Sequence, residues 1–257
     1  MVMAPLFVPA TRPDRFDKAL GSGTDAVILD LEDAVAAEDK DRARANIANL
    51  PTGRFILRCN AMGTPWHEKD LIAAKSLAPI TLMIPKAEDA DSLARLDFPL
   101  IPLIETGRGL AEARRIAALP NVMQLAFGSL DFCADMGMAH LREGLLPVRL
   151  ELVLASRLAG IAAPFDGVTT RLEAGLAALD AEHAQSLGMG GKLCIHPMQV
   201  AEVKQVFAPS AEELDWAMAV LKSGDGVARV SSEMVDEPVR RRARTILERA
   251  RQSSENG

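Results

Sequence analysis

The chain contains eight short apolar runs, each rich in Val, Ile, Leu or Phe and each ending near a polar or charged residue. None of them alternates cleanly between apolar and polar positions. This pattern indicates strands that are buried on both faces, as in a parallel sheet. The predicted strands are residues 6–9, 26–30, 55–58, 81–85, 100–104, 122–127, 166–170 and 192–195.

Stretches with helical spacing and helix-forming residues separate these runs. The predicted helices are residues 14–20, 39–50, 68–77, 89–96, 109–119, 150–159, 173–187 and 198–206. Because strict alternation of strand and helix returns the chain to the start of each next strand, all strands should be parallel. Eight such units in roughly 210 residues predict an α/β fold of the (β/α)8 TIM barrel class, with its active site at the C-terminal ends of the strands. An open doubly wound sheet is the competing topology, although no G-x-G-x-x-G fingerprint follows the first strand.

The pattern changes near residue 208. We therefore predict a catalytic barrel domain over residues 1–208 and a C-terminal helical extension over residues 209–257. The extension begins with a predicted helix at residues 210–222, where Ser210 and Glu213 have the spacing of a capping box. An extended piece at residues 227–230 and a basic final helix at residues 238–251 follow. With few partners of its own, this extension must pack on something, and a neighbouring subunit is a candidate.

Composition narrows the class of protein. The 257 residues are 49% hydrophobic, enough to bury a full core in one barrel domain, and they carry a net charge of -6. That charge argues against general nucleic-acid binding, although a local basic pocket is compatible with it. No apolar run is long enough to span a bilayer, and the N-terminus lacks a signal-type segment. We expect a soluble cytoplasmic enzyme that acts on a small molecule, without nucleic-acid or membrane partners.

The three cysteines are Cys59, Cys133 and Cys194, an odd number without paired spacing. A disulfide framework is therefore not expected in an intracellular setting. All three lie at or near predicted strand ends, so a thiolate metal site is an alternative. Buried single cysteines more often behave as small hydrophobic residues.

Two carboxylates follow consecutive predicted strands, Glu105 after the fifth and Asp131 after the sixth. The carboxyl ends of parallel strands meet at one end of a barrel, so the two side chains should lie close together. Oxygen ligands suit a hard divalent cation such as Mg2+. We predict that Glu105 and Asp131 are metal ligands. The alternative is a helix-capping or ion-paired carboxylate.

Arg58 ends the third predicted strand and should point into the mouth of the barrel. Its guanidinium offers a fixed fork of donors, which suits a substrate carboxylate or a developing enolate oxygen. A surface salt bridge is the alternative. Lys86, after the fourth strand, is a weaker candidate for the same pocket, where ion pairing is favoured over a Schiff-base role.

Three further positions carry candidate chemistry. Glu32 and Asp33 follow the second strand and are expected to hold Arg58, Lys86 or metal-bound waters, or else to form a solvated acidic loop. Arg12 follows the first strand and could bind the phosphate or other charges of a carrier molecule, or pair with a nearby aspartate. His196 ends the eighth strand, either as a site residue or as a satisfied core histidine.

Five motifs in order resemble a known family. They are LFVPATRPDRF (6–16), AVILDLEDAV (26–35), PLIET (102–106), AFGSLD (126–131) and GKLCIHP (191–197). Together they resemble the citrate lyase beta-subunit-like family of the aldolase/citrate lyase superfamily, over nearly the whole chain.

The resemblance implies a Mg2+-dependent carbon–carbon lyase. Such an enzyme would cleave, or form, a 3-hydroxyacyl thioester such as citryl-CoA or malyl-CoA, with acetyl-CoA and a 2-oxo acid as products. The resemblance also implies a homotrimer, and it places Asp236 where a proton is handed to or from the acetyl carbon. Asp236 could instead cap the final helix. The competing functions are an aldolase of free 2-keto acids and a non-catalytic carrier-docking subunit of a larger complex.

Overall fold

The computed structural model describes residues 2–50, 54–223, 228–230 and 233–254. Eight parallel strands form one sheet in the order of the sequence, each hydrogen-bonded to the next. They are β1 (Leu6–Pro9), β2 (Val27–Asp30), β3 (Phe55–Arg58), β4 (Thr81–Ile84), β5 (Leu100–Ile104), β6 (Gln124–Phe127), β7 (Ala162–Asp166) and β8 (Gly191–Lys192). The prediction of an α/β fold with a parallel sheet is confirmed, and a sequential strand order is not that of a doubly wound sheet.

The sheet curls until its first strand lies beside the segment that follows its last. Leu6 forms a parallel bridge with Cys194. The Phe7 amide donates to the Cys194 carbonyl at 2.8 Å, and the Cys194 amide donates to the Pro5 carbonyl at 2.9 Å. The Lys192 amide donates to the Met3 carbonyl at 2.8 Å. These bonds form the seam between the two ends of the sheet.

Helices connect the strands and continue after the last one. They are α1 (Phe16–Leu20), α2 (Lys40–Asn46), α3 (His67–Lys75), α4 (Ala90–Leu93), α5 (Gly107–Ala117), α6 (Ser129–Met136), α7 (Arg142–Ala159), α8 (Leu176–Ser186), α9 (Pro197–Phe207), α10 (Ala211–Lys222) and α11 (Glu237–Ser254). Among the described helices, none combines the length and the apolar character that a membrane span requires.

Apolar side chains from the strands pack together as one core. The cluster contains Ala26, Ile28, Ile56, Met83, Ile101, Leu103, Ala126, Phe165 and Leu193. Because these positions come from most strands of the sheet, burial of their side chains fixes the strands relative to one another. The polar strand ends are thereby held at one edge of the sheet.

Two strand predictions were misplaced. β7 covers Ala162–Asp166, whereas the predicted strand began at Asp166. Pro164 lies inside this strand, and a proline argues against a central strand in a sequence pattern. β8 is shorter than predicted and ends at Lys192.

The region between β6 and β7 also differs from the prediction. It contains an additional helix, α6, and α7 begins at Arg142 instead of Leu150. Pro147 lies within α7. Proline usually marks a helix boundary, which is why the sequence pattern placed the start after it.

The chain divides into two compact units, residues 2–204 and residues 205–257. In the second unit, the Ser210 hydroxyl accepts from the Glu213 amide and the Glu213 carboxylate accepts from the Ser210 amide, so the capping box is confirmed. Strands β9 (Ala228–Val230) and β10 (Glu233–Val235) pair antiparallel. Residue 227, the first of the predicted extended piece, lies outside the described residues. The predicted boundary after residue 208 stays a prediction.

The three cysteines are free and buried. Burial raises the pKa of the Cys194 thiol to about 12 and raises the pKa of Cys59 well above its ordinary value. Thiols of this kind stay protonated at neutral pH and are poor metal ligands. The expectation that they behave as small buried hydrophobic residues fits these surroundings.

Candidate active site

A cavity of about 460 Å3 lies at the edge of the sheet where the strands end. Its charged lining residues are Asp30, Asp33, Arg58, Glu105 and Asp131. Its apolar lining includes Phe7, Leu103, Phe127, Val168 and Leu193. An apolar wall around a few convergent charges strengthens electrostatic interactions inside it and is typical of a small-molecule site.

Arg58 is clamped by Asp30, the residue opposite it in the register of β2 and β3. Its Nε donates to Asp30 Oδ1 at 2.8 Å and its Nη2 donates to Asp30 Oδ2 at 2.6 Å. The guanidinium also stacks on the ring of Phe7, 4.8 Å from its centroid. Arg58 is only 9% exposed, so the surface-salt-bridge alternative does not describe it. Burial lowers the pKa of Arg58, but the hydrogen bond to Asp30 and the charges of Asp30, Glu32 and Asp33 together outweigh that effect, and the group stays charged.

Glu32 and Asp33 approach the same guanidinium from the loop after β2. Arg58 Nη1 lies 3.0 Å from Glu32 Oε2 and 3.7 Å from Asp33 Oδ2. Burial raises the pKa of Glu32 to about 7, although the charge of Arg58 opposes this shift. A carboxyl group with a pKa near neutrality can both accept and donate a proton at working pH. Asp33 is exposed at the rim.

Glu105 follows β5 and is 2% exposed. Its Oε1 accepts a hydrogen bond from the Lys86 backbone amide at 2.8 Å. Burial raises the pKa of Glu105 to about 8, and the negative charges of Glu32 and Asp131 add to that shift. A Cβ atom at Gly128 would lie 2.5 Å from Glu105 Oε2, so only glycine leaves room for this carboxylate.

Asp131 reaches the cavity from a helix. The sequence pattern placed it at the end of the sixth strand, but β6 ends at Phe127 and Asp131 lies in the first turn of α6. Because α6 starts directly at the strand end, its first turn still lines the cavity with Glu105. The structure therefore brings the two predicted metal ligands to one cavity.

The donor chemistry of this pair fits a magnesium ion. Within the described residues, no group of three or more His, Cys, Asp or Glu forms a ready-made metal cluster. Mg2+ in proteins commonly uses one or two carboxylates and keeps the remaining positions for water and substrate. Glu105 and Asp131 would provide such a partial set. A divalent cation would also offset the negative charges of Glu32 and Asp131, which add to the rise in the pKa of Glu105.

Lys86 lies beside the site and contacts it through its backbone. Its φ of 48° is unusual for a residue with a side chain and directs its amide toward Glu105. The side chain is exposed and lines a neighbouring cavity of about 300 Å3 together with Glu32, Asp33 and Lys40. Its predicted role in catalysis stays a prediction.

Arg12 and His196 line a separate cavity of about 490 Å3 with Arg15 and Lys18. Arg12 Nε and Nη2 donate to both carboxylate oxygens of Asp14, at 2.9 Å and 2.7 Å, so the ion-pair alternative describes Arg12 here. Its role toward a carrier stays a prediction. His196 is exposed, which contradicts the alternative of a core histidine.

Asp236 belongs to the second unit and is exposed. Its Oδ1 accepts a hydrogen bond from the Val239 amide at 3.1 Å, at the first turn of α11. The helix-cap alternative therefore describes its local contact. Capping leaves the second carboxylate oxygen available, and the predicted role in proton transfer stays a prediction.

A second buried charge network was not predicted from the sequence. Asp166, at the end of β7, accepts from Arg149 Nε at 2.7 Å and pairs with Lys192 Nζ at 3.2 Å. Burial raises the pKa of Asp166, but the charges of Lys192 and Arg149 outweigh it and the net shift is downward. If the sequence pattern had placed β7 correctly, Asp166 would have stood at the end of a strand and would have been identified as a candidate residue. Asp30 ends the second predicted strand but was given no role, and the register of β2 and β3 places it opposite Arg58.

The fold and the site together define a class of protein. It is an α/β protein with a cavity for a small molecule, rich in carboxylates, at the end of a parallel sheet. The family described as HpcH/HpaI aldolase/citrate lyase matches residues 4–197, and the chain belongs to this family. A second description, C–C bond lyase of the TIM-barrel fold, matches residues 168–253. The family resemblance seen in the sequence is confirmed.

Relatives span nearly the whole chain. A "Citrate lyase subunit beta-like protein" of Deinococcus radiodurans is 36% identical, over 94% of this chain and 95% of its own. A "(3S)-malyl-CoA thioesterase" of Cereibacter sphaeroides is 34% identical, over 90% and 88%. The crystal structure of protein CitE from Mycobacterium tuberculosis, in complex with magnesium, acetoacetate and coenzyme A, has a TM-score of 0.87 at 35% identity. That match covers 97% of this chain and 98% of the other.

Proposed function

We propose that this protein is a Mg2+-dependent carbon–carbon lyase acting on a 3-hydroxyacyl-CoA thioester such as citryl-CoA or malyl-CoA. The observation that carries the proposal is the meeting of Glu105, Asp131 and Arg58 around one cavity at the ends of the strands. The magnesium and coenzyme A bound by the related Mycobacterium tuberculosis structure support it. We interpret the curled sheet as a closed (β/α)8 barrel, in which active sites lie at this end.

The reaction breaks the bond between C2 and C3 of the thioester. The C3 hydroxyl loses its proton and becomes the 2-oxo carbonyl group of the released acid. The electron pair of the broken bond passes to C2 and forms the enolate of acetyl-CoA, which then takes up a proton. The site must therefore stabilise two developing negative charges and move two protons.

Glu105 and Asp131 would hold the metal, and a bound Mg2+ supplies Lewis-acid polarisation of the hydroxyl and carboxylate oxygens of the substrate. Arg58 provides positive charge beside that position. Its Nε and Nη2 donate to Asp30, so Nη1, which lies 3.0 Å from Glu32 Oε2, is the nitrogen not bonded to Asp30 and is our candidate donor to a substrate oxygen. Fixing a guanidinium in this way costs no reorganisation when charge develops.

Proton transfer is assigned to carboxyl groups. Glu32, with its pKa near 7, can take up or release a proton beside Arg58. Asp236, in the second unit, is our candidate for protonating C2. We further propose that the protein works as a homo-oligomer, a trimer by family resemblance, in which Asp236 serves its own or a neighbouring site.

A second candidate function is hydrolysis of the thioester, because one relative is named a (3S)-malyl-CoA thioesterase. Hydrolysis breaks the carbon–sulfur bond and releases free coenzyme A and the hydroxy acid. The lyase reaction leaves that bond intact. The two functions therefore differ in their products.

The test is an assay of the purified protein with citryl-CoA and malyl-CoA, with Mg2+ and with excess chelator. We expect acetyl-CoA and a 2-oxo acid, and loss of turnover with chelator. Free coenzyme A as the first product would replace the lyase with a thioesterase. Turnover of free hydroxy acids alone would indicate an aldolase, and no turnover of either class would favour a carrier-docking subunit.

A further inference from the structure

Lys40 is a buried lysine outside the proposed chemistry. It opens α2 and is 5% exposed. Its Nζ donates to the Leu31 carbonyl at 2.7 Å, to the Glu32 carbonyl at 2.8 Å and to Asn60 Oδ1 at 2.6 Å. All three ammonium hydrogens therefore have acceptors, which is the condition under which a buried charge is tolerated.

The two carbonyls belong to the loop that carries the carboxylates around Arg58. Leu31 and Glu32 directly follow Asp30, which clamps the guanidinium. From the other side, the Asp30 carboxylate accepts from the Glu32 amide at 2.8 Å. The peptide units of this loop are thus held by Asp30 on their amide side and by Lys40 on their carbonyl side.

Asn60 connects the same ammonium to the loop after β3, two residues beyond Arg58. Its Nδ2 donates to the Leu31 carbonyl at 2.9 Å and to Asp70 Oδ2 at 2.7 Å. Asp70 is fully buried and accepts from Arg44 Nη1 at 2.7 Å. Lys40 therefore joins the loops after β2 and β3 to a rigid network between α2 and α3.

Lys40 lies beside the main cavity, where it lines the neighbouring cavity of about 300 Å3 with Glu32 and Asp33. It does not line the cavity of about 460 Å3 that contains Arg58 and Glu105. Its ammonium lies 5.1 Å from the ring centroid of Trp66. Burial lowers the pKa of Lys40, while the carboxylates of Asp30 and Asp70 oppose that shift.

We propose that Lys40 is a positioning residue for the carbon–carbon lyase reaction. This inference rests on the proposed function. Through Leu31, Glu32 and Asn60 it sets the backbone that places Asp30 and Glu32 against Arg58. It acts on the direction in which Arg58 Nη1 points. When Nη1 is displaced, the transition state is stabilised less, although no group that touches the substrate has been removed.

The test compares Lys40→Met, which keeps the length of the side chain without its donors, with Lys204→Met. Lys204 is the control at the opposite end of β2, where its Nζ donates to the Gly23 carbonyl at 2.9 Å and pairs with the Asp25 carboxylate at 2.9 Å. We expect Lys40→Met to lower kcat about 10–100-fold with a smaller change in KM. Lys204→Met should leave both constants close to wild type.

A double-mutant cycle separates positioning from general destabilisation. In an Arg58→Lys background, Lys40→Met should have little further effect on kcat, because the group that it positions is already altered. Equal effects of Lys40→Met in both backgrounds would overturn the proposal. If Lys40→Met does not fold, Asn60→Ala removes one of the three acceptors and should give a smaller change of the same kind.

A measurement that does not depend on turnover tests the role of Lys40 separately from the proposed lyase function. The Nε–H resonance of Arg58 is identified in a 15N-arginine-labelled sample by its loss in Arg58→Lys. We expect it to shift or broaden in Lys40→Met and to stay unchanged in Lys204→Met. An unchanged resonance in Lys40→Met would overturn the positioning role, even if the wild type cleaves no thioester.

Discussion

At the scale of single residues, Glu105 has the most unfavourable surroundings in the site. Its carboxylate is buried, faces the negative charge of Asp131 and receives a backbone amide from Lys86. A buried charge of this kind is costly unless a cation or a proton compensates it. A divalent cation held by Glu105 and Asp131, as we propose, would provide this compensation.

We expect Glu105→Gln and Asp131→Asn each to weaken Mg2+ binding by at least ~10-fold, since each removes one of the two charged ligands that we propose. Calorimetric titration with Mg2+ measures this directly. Asp135→Asn serves as a control, because Asp135 lies one turn further along α6 and is exposed, and asparagine can still accept from the Gly107 amide, as Asp135 does at 2.8 Å. Unchanged Mg2+ affinity in both site variants would remove the metal assignment.

Arg58→Lys keeps the positive charge but loses the planar fork of N–H donors that the guanidinium provides. A lysine ammonium lacks the planar fork, so it cannot keep two parallel bonds to Asp30 and also present a donor in the direction of Nη1. We therefore expect kcat to fall by about 10²-fold, the scale of one lost donor to a developing oxyanion. Steady-state kinetics with malyl-CoA provide the measurement. Arg114→Lys is the matched control, because Arg114 makes the same forked pair with Glu151 on an exposed surface. A kcat near the wild-type value in Arg58→Lys would exclude this role.

At the scale of elements, the buried triad of Arg149 on α7, Asp166 on β7 and Lys192 on β8 joins three parts of the chain. The pKa of Asp166 is lowered in the folded protein, so folding favours its ionised form. This contribution to the free energy of unfolding is present above the ordinary aspartate pKa of about 4. It is lost as the pH falls through the lowered folded value.

Asp166→Asn should therefore destabilise the protein at pH 7 by about 3–5 kcal/mol, because it leaves two buried cations uncompensated. The difference from wild type should shrink as the pH approaches 3. Urea unfolding at pH 7, 5 and 3 measures both effects. Asp91→Asn, which alters an exposed pair with Arg115, should change the free energy of unfolding by less than about 1 kcal/mol. A pH-independent difference for Asp166→Asn would contradict the linkage.

Sequence patterns located most of the helices and strands because buried strands and amphipathic helices leave strong periodicities. They failed where a proline lies inside an element, as with Pro164 in β7 and Pro147 in α7. The residues at strand ends pointed to Arg58 and Glu105. They could not reveal Lys40 or Arg149, because these side chains reach other residues from helices, and such contacts depend on packing that periodicity does not encode.

At the scale of the whole molecule, one set of variants tests both the role of Asp236 and the subunit that supplies it. We expect Asp236→Asn to slow deuterium exchange into acetyl-CoA far more than it weakens binding, because the side chain acts on a transferring proton. If a neighbouring subunit supplies Asp236, mixing this variant with Glu105→Gln should restore part of the activity. Light scattering verifies that mixed oligomers have formed.

Normal exchange by Asp236→Asn, together with no rescue in verified mixed oligomers, would leave this residue as a helix cap. The reverse result would explain why an exposed aspartate at the start of α11 matters for chemistry on the sheet. The Val239 amide should remain capped by asparagine, so stability changes little. Thermal unfolding of Asp236→Asn provides that control.

The seam has a consequence for how the protein is made. On the ribosome, β1 emerges before the other strands of the sheet. Cys194, which pairs with β1 at the seam, is synthesised on the order of ten seconds later or more. During that interval the nascent chain exposes an unpaired strand edge, which is a template for association with other chains. Slow translation before residue 194 should therefore increase aggregation of the newborn protein, and a chaperone that covers this edge should reduce it.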